Sequence, residues 1–163
     1  MRVTSEAMNG GRIPDRFGKK GADINPFGIP SRSVPIRIED APQGTVTYAL
    51  LLEDKDAAPV CGFSWIHWIA ANIRRDILEE DDSAHATDYV QGVNSWFGNY
   101  GREGSIGYGG MAPPDRPHTY ELHVFALDKE LTLESGFFIN DLYHEMEGHI
   151  LAHERLTGTY PDR

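Results

Sequence analysis

The sequence predicts a mainly β fold with one late helix, and three observations carry that reading. Apolar residues alternate with polar ones over Val34–Ile38, several short runs are apolar on both faces, and helical spacing emerges only near the end, from Leu142 onward. At 163 residues with 40% hydrophobic content, the chain has the size and apolar mass of one domain, expected to span residues 1–163.

The elements follow in order. Residues Met1 to about Pro30 are rich in Gly, Pro and charge without a sustained period, so they predict loops and short extended pieces wrapped on the body. Val34, Ile36 and Ile38 alternate with Pro35, Arg37 and Glu39, a strand with one wet face, and Pro35 places it at a sheet edge. After the turn Pro42-Gln43-Gly44, Val46–Leu52 reads as a buried strand. Ser64–Ala71 is apolar on both faces and rich in aromatic and β-branched residues, which favours strand over helix.

Six carboxylates collect between Asp76 and Asp88 and read as a solvated surface loop. The Gly-rich stretch Gly92–Gly110 is long for a connection and predicts a functional or disordered loop. His118–Leu127 is a further strand. Leu142, Tyr143, Met146, His149, Ile150 and His153 then recur at helical spacing, with Leu156-Thr157-Gly158 as the stop.

Charge and cysteine use narrow the function classes. Fifteen Lys and Arg against 25 Asp and Glu give a net charge of −10, which repels nucleic acid and anionic membrane surfaces as bulk partners. Binding one phosphate in a local pocket is still open to such a chain. The lone Cys61 admits no intrachain disulfide and, with no base or cation beside it in sequence, reads as a packing residue. No secretory leader or membrane-length apolar run is visible, so a cytoplasmic location is the expectation, with the whole chain as the mature protein.

Three groups of polar residues sit where the strands are otherwise apolar: Asp54 and Asp56 just after Leu50–Leu52, His67 inside its strand, and His118 at the start of the last long strand. An ionisable group in such a place is costly unless it finds a partner or faces a cavity. For His67 the alternative is a neutral imidazole satisfied by one backbone carbonyl.

The motifs Asp54-Lys-Asp-Ala-Ala-Pro59, Trp65-Ile-His-Trp-Ile-Ala-Ala-Asn72, Gly107-Tyr-Gly-Gly-Met-Ala-Pro-Pro114 and His118-Thr-Tyr120 come in the order and spacing of the phosphatidylethanolamine-binding protein (PEBP) family, in its prokaryotic, Raf-kinase-inhibitor-like branch, which this chain closely resembles. Supporting matches run from Ile13-Pro14 to Leu156-Thr-Gly-Thr-Tyr160, so the resemblance covers nearly the whole chain. It implies a central antiparallel sheet packed on a smaller one with peripheral helices, and a shallow pocket for phosphate, acetate or a phospholipid headgroup. Carried over residue by residue, that pocket is lined by Asp54 with Asp56 behind it, His67, the Gly109-Gly110 backbone, Pro113, Pro114, His118 and Tyr120, with Tyr108 at the rim. Homodimers and kinase or protease inhibition also occur in the family. The chain departs from the usual pattern at Lys55 and the extra Ala of the first motif, and at Met111, Thr119 and Ile38.

The chemistry of these residue types fits an anion. Imidazole N–H, tyrosine O–H and backbone N–H groups of a Gly-rich turn supply convergent donors. Glycine would let the backbone approach the ligand. Asp54 would orient and favour protonation of a neighbouring His, or accept from the ammonium end of an ethanolamine headgroup.

Other motifs are set aside. Gly101–Gly110 lacks a following Gly-Lys-Ser/Thr and runs into Pro113-Pro114, which excludes a P-loop. His144-Glu-Met-Glu-Gly-His149 has the wrong spacing for a zincin, and His149 and His153 read as two structural residues on one helical face.

The expected function is therefore a small-anion or phospholipid-headgroup binding module with a regulatory role, with no cofactor, no metal and no catalytic set. The alternatives are a metal-dependent or acid–base hydrolase using Asp54, His67 and His118, and a dimeric scaffold with a vestigial pocket. If His67 or His118 donates to the bound anion, affinity should rise at mildly acidic pH.

Overall fold

The computed structural model describes residues 1–163. It is mainly β, with two antiparallel sheets. The small sheet holds β1 (Arg2–Thr4), β2 (Ile36–Glu39) and β5 (Ile77–Leu78) in the order β1-β2-β5. The large sheet holds β3 (Thr47–Asp54), β4 (Trp65–Ile73), β6 (Val90–Gln91), β7 (His118–Leu127) and β8 (Ile150–Tyr160) in the order β6-β4-β3-β7-β8. Three one-turn helices, α1 (Ala58–Cys61), α2 (Asp82–His85) and α3 (Phe97–Tyr100), lie in connections, and only α4 (Ile139–Met146) is longer.

The runs that are apolar on both faces have a simple cause: β3, β4 and β7 form the middle layer of three. One face sends Leu50, Leu52, Trp68, Ala70, Leu122 and Val124 into a core shared with the small sheet and with Met8, Ile13 and Phe17 of the N-terminal wrap. The other face sends Ala49, Leu51, Ile69 and Phe125 against Leu142 and Met146 of α4. Each strand alternates its side chains between two buried environments, so no polar stripe is permitted.

Two sequence expectations give way here. The strand after Val34 starts at Ile36 and is the central strand of its sheet; Pro35 lies just outside it, where its missing N–H breaks no ladder. The late helix ends at Met146, because Gly148 turns the chain with a φ of 79°. Ile150–Tyr160 is then an edge strand paired with β7 from His118↔Tyr160 to Leu127↔Ile150, so Leu156-Thr157-Gly158 is no helix stop and His149 and His153 share no helical face.

The acidic segment Asp76–Asp88 is also more than a solvated loop. It contains β5 and α2, and its carboxylates are tied down by arginines: Glu80 by Arg16 and Arg32, Asp82 and Asp88 by Arg75. No helix of the protein is long and apolar enough to cross a membrane.

Candidate functional site

The site lies where the end of β3 meets the starts of β4 and β7. Antiparallel pairing sets Asp54 opposite both Trp65 and Tyr120, so three strand ends deliver side chains to one place. A local irregularity completes it. Glu53 pairs with Ile66 and Leu52 with Trp68, which leaves His67 as the extra residue of a β-bulge. The bulge breaks the strict alternation, so His67 and the core residue Trp68 are both fully covered without exchanging faces.

A cavity of about 250 Å³ opens here. Asp54, Trp65, His67, His118 and Tyr120 line it together with Trp96, the Ala112–Pro114 segment, and Ala57, Val60 and Cys61 from the turn after β3 and from α1. His67 and His118 thus share one cavity. The His67 ring stands edge-on to Trp96 at 5.5 Å and to Tyr120 at 5.1 Å, which fixes its plane.

The two histidines are in opposite electrical states. His67 is buried and its Nδ1 lies 2.7 Å from the Gly109 carbonyl, an oxygen that only accepts, so Nδ1 carries the proton. Burial pushes its pKa down to about 4, and its backbone partners do not offset that. At neutral pH its Nε2 is therefore a lone pair, an acceptor and not the donor expected from sequence.

His118 is 1% exposed at the side chain and sits between two carboxylates, with Nδ1 2.7 Å from Asp54 Oδ2 and Nε2 2.7 Å from Asp115 Oδ1. Burial opposes its charge, but the hydrogen bonds to Asp54 and Asp115 outweigh it and raise its pKa. With both carboxylates ionised, two acceptors on one ring are met only when both nitrogens donate, which makes His118 the cation of the site. Burial raises the carboxyl pKa of Asp54, an effect that the His118 bond resists without cancelling. The bond to His118 lowers that of Asp115.

Three buried atoms of lining residues, Asp54 Oδ1, Trp65 Nε1 and the Tyr120 hydroxyl, have no hydrogen-bond partner in the protein. Burial, with the Asp54 charge beside it, pushes Tyr120 far above an ordinary phenol, so it stays protonated. Orphaned groups of this kind cost about 1–3 kcal/mol each; Ser64 Oγ, Glu121 Oε2 and His123 Nε2 share the condition outside the lining, so it is their convergence on one cavity that sets these three apart.

Several expected site residues have other work. Tyr108 is buried away from the cavity lining, with its hydroxyl donating to the Phe17 carbonyl at 2.7 Å. Gly109 and Gly110 stand behind the wall. A Cβ on Gly109 would lie 2.4 Å from the Trp96 ring and one on Gly110 2.4 Å from the Phe17 carbonyl, so close packing, not ligand approach, requires glycine there. Asp56 is not in the lining either; its Oδ2 accepts from the Thr119 N–H at 2.8 Å and staples the turn after β3 to β7. Pro113 and Pro114 do line the cavity.

Cys61, read as a packing residue, is exposed at the cavity mouth, with its Sγ 3.4 Å and 3.3 Å from the carbonyls of Ala57 and Phe63. Sequence reasoning also missed Asp115, although a carboxylate three residues before His118 was a visible signal. Trp65, alternating with His67, was equally readable, whereas Trp96 arrives from a distant loop and left no local trace.

One group elsewhere has metal-ligand types. Donor atoms of Glu53, Glu121 and His123 lie within 4.8 Å of one another, but Lys55 is 2.7 Å from Glu121 and 3.5 Å from Glu53, and Arg155 also pairs with Glu121. Those two carboxylates already have their cations. Lys55, a departure from the family pattern, thus leans away from the cavity.

Comparisons with known proteins agree with this architecture. The family model described as phosphatidylethanolamine-binding protein matches residues 3–161. The Bacillus subtilis protein YxkA, described as uncharacterized, is 48% identical over 132 residues, covering 77% of this chain and 79% of its own length. A UPF0098 protein of Chlamydia trachomatis is 34% identical over 163 residues, covering 98% of each chain. Among solved structures, a PEBP homologue from Chlamydia trachomatis superposes with a TM-score of 0.81 at 33% identity, over 99% of this chain and 97% of its own. Escherichia coli YbcL, described as a new member of the mammalian PEBP family, shares the fold with a TM-score of 0.78 at 24% identity, over 99% and 98%. With two sheets, a cavity at the strand ends and a family match over nearly its whole length, the chain belongs to the phosphatidylethanolamine-binding protein family.

Proposed function

We propose that the cavity binds a small oxyanion, a phosphate or the phosphoryl group of a lipid headgroup, and that the protein acts as a ligand-binding module whose occupancy regulates a protein partner. The observation that supports this most directly is His118, a buried imidazolium whose outer N–H is capped only by a half-exposed carboxylate from a surface turn. An anionic oxygen at that position meets a charge-assisted donor in a partly dry site.

The rest of the lining suits a phosphoryl group in particular. Tyr120 O–H and Trp65 N–H donate to P–O oxygens, while His67 Nε2 and Asp54 Oδ1 accept from a P–O–H or from an ammonium group. Val60, 48% exposed, is an apolar lining residue, and Phe63, 51% exposed, stacks on the lining residue Trp65, which together accommodate the carbon skeleton of a glycerol-linked headgroup. Covalent hydrolysis is disfavoured by the lining: the thiol of Cys61 contacts only backbone carbonyls and has no histidine bonded to it.

Calorimetric titration with glycerophosphoethanolamine and with inorganic phosphate tests the reading. A charge-assisted bond contributes about 1.5–3 kcal/mol, so His118→Ala should weaken binding roughly tenfold to a hundredfold. Undiminished binding by His118→Ala would place the anion elsewhere.

A further inference from the structure

The turn between the cavity wall and β7 holds an internal competitor. Pro114 and Pro117 bracket Asp115 and Arg116, and proline fixes φ at each end of this short connection. The result is a stiff turn that presents Asp115 to His118, three residues on, with Oδ1 2.7 Å from Nε2. Asp115 stands just outside the cavity lining with its side chain 43% exposed, whereas His118 lines the cavity and is 1% exposed, so the acid is the movable member of the pair. Its other oxygen has only a loose neighbour, Arg116 Nε at 3.9 Å. Asp54, on the far side of the imidazole, is 4% exposed and has no such freedom.

We infer that Asp115 is the specificity-determining residue of the cavity: a tethered carboxylate that occupies the His118 donor, excludes simple carboxylate ligands and yields only to a phosphoryl group. This rests on the oxyanion reading above. A carboxylate on a short tether acts at an effective concentration of millimolar or more. Free acetate offers His118 the same chemistry as Asp115 and brings nothing further, so the tethered copy wins. A phosphoryl group reproduces that contact and adds oxygens for the Tyr120 hydroxyl and the Trp65 N–H, both without a protein partner. Selection between two classes of anion then comes from competition within the chain, without any steric filter.

Imidazole NMR signals of His118, followed at about pH 6 where the ring is charged, give the test. Inorganic phosphate and acetate are titrated separately into the wild-type chain, Asp115→Ala and Asp115→Asn, in low salt and in about 0.5 M NaCl, where fields are screened beyond a few ångströms. The expected result is at least a tenfold gain in phosphate affinity for Asp115→Ala, together with newly acquired acetate binding. Asp115→Asn, which keeps an uncharged acceptor, should fall between, and the gain should persist in high salt. Equal affinities in all three proteins would overturn the inference while leaving the oxyanion reading intact. A gain that vanishes in high salt would also overturn it, reducing Asp115 to a diffuse negative charge. Absence of phosphate binding in both the wild type and Asp115→Ala would instead remove the oxyanion reading itself.

Discussion

Adjacent residues of the same two strands build two different carboxylate–histidine clusters on opposite faces of the large sheet. Asp54 and Tyr120 face the cavity, where His118 supplies the only charged donor and three polar atoms lack a protein partner. Glu53 and Glu121, one position along, lie on the other face with His123. There Lys55 and Arg155 reach in from the surface; they lower the Glu121 pKa despite its burial, and the His123 bond lowers that of Glu53. The difference lies in where the cations come from. Flexible side chains from neighbouring positions close one cluster, whereas the cavity cluster has no Lys or Arg and relies on a histidine shared between two acids. Glu121 Oε2 and His123 Nε2 also lack a well-formed hydrogen bond, but outside that cavity, so neither ion pairing nor an orphaned atom alone marks the site; unpartnered donors and acceptors lining one cavity do.

The largest expected effect that separates the two clusters comes from His67. Its folded pKa of about 4 lies below the ordinary value of 6.5, so the unfolded chain binds more protons in between. The His67 contribution should be complete above about pH 6.5 and fall by up to ~1.4 kcal/mol per unit as pH drops toward 4, whereas the raised pKa of His118 acts in the opposite sense, its stabilisation being lost as pH rises through that pKa. Replacing His67 with Gln, which retains a donor for the Gly109 carbonyl, should flatten this slope in urea titrations. An unchanged slope in that variant would mean that another group governs acid sensitivity.

A smaller effect sharpens the meaning of an orphaned hydroxyl. Tyr108→Phe leaves the Phe17 carbonyl without its donor and should destabilise the fold by about 1 kcal/mol. Tyr120→Phe removes a buried hydroxyl that has no partner and should be neutral or stabilising, while weakening phosphate binding. Thermal melts paired with calorimetry distinguish the two, and equal destabilisation by both would erase the contrast. The smallest effect belongs to the closed cluster. Glu121→Gln loses ion pairs to half-exposed or exposed cations and should change stability by less than about 1 kcal/mol, with phosphate affinity unaffected.

Much of this was legible in the chain. β7 begins and ends where the pattern set it, and β3 and β4 fall within three residues of their expected bounds, because a strand buried on both faces carries an uninterrupted apolar signal. β8 was misread because it is an edge strand, mostly exposed along Ile150–Arg155, so its few apolar residues fell by chance into helical spacing. At the site, Asp54, Asp56, His67 and His118 stood out as polar groups in or beside apolar strands, and Tyr120 came with the family resemblance. Tyr108, Gly109, Gly110 and Asp56 were carried over from the family pattern, but their roles in this chain are fixed by long-range partners, namely Phe17, Trp96 and Thr119, that no local pattern encodes. The electrical state of His67 was equally hidden, since it depends on a carbonyl 42 residues away.

The bulge at His67 separates the chemistry of the cavity from the pairing of the strands. Because this residue stands opposite no partner in the ladder, its side chain is exempt from the cross-strand matching that constrains Leu52 and Trp68. Substitutions there alter the acceptor chemistry of the cavity while every flanking pair keeps its register. Deleting the residue is a different kind of change: it would close the bulge into a regular ladder, since Leu52 and Glu53 already pair with Trp68 and Ile66, and would take the imidazole out of the cavity altogether. The extra residue of this strand end therefore serves the cavity and not the pairing of the strands.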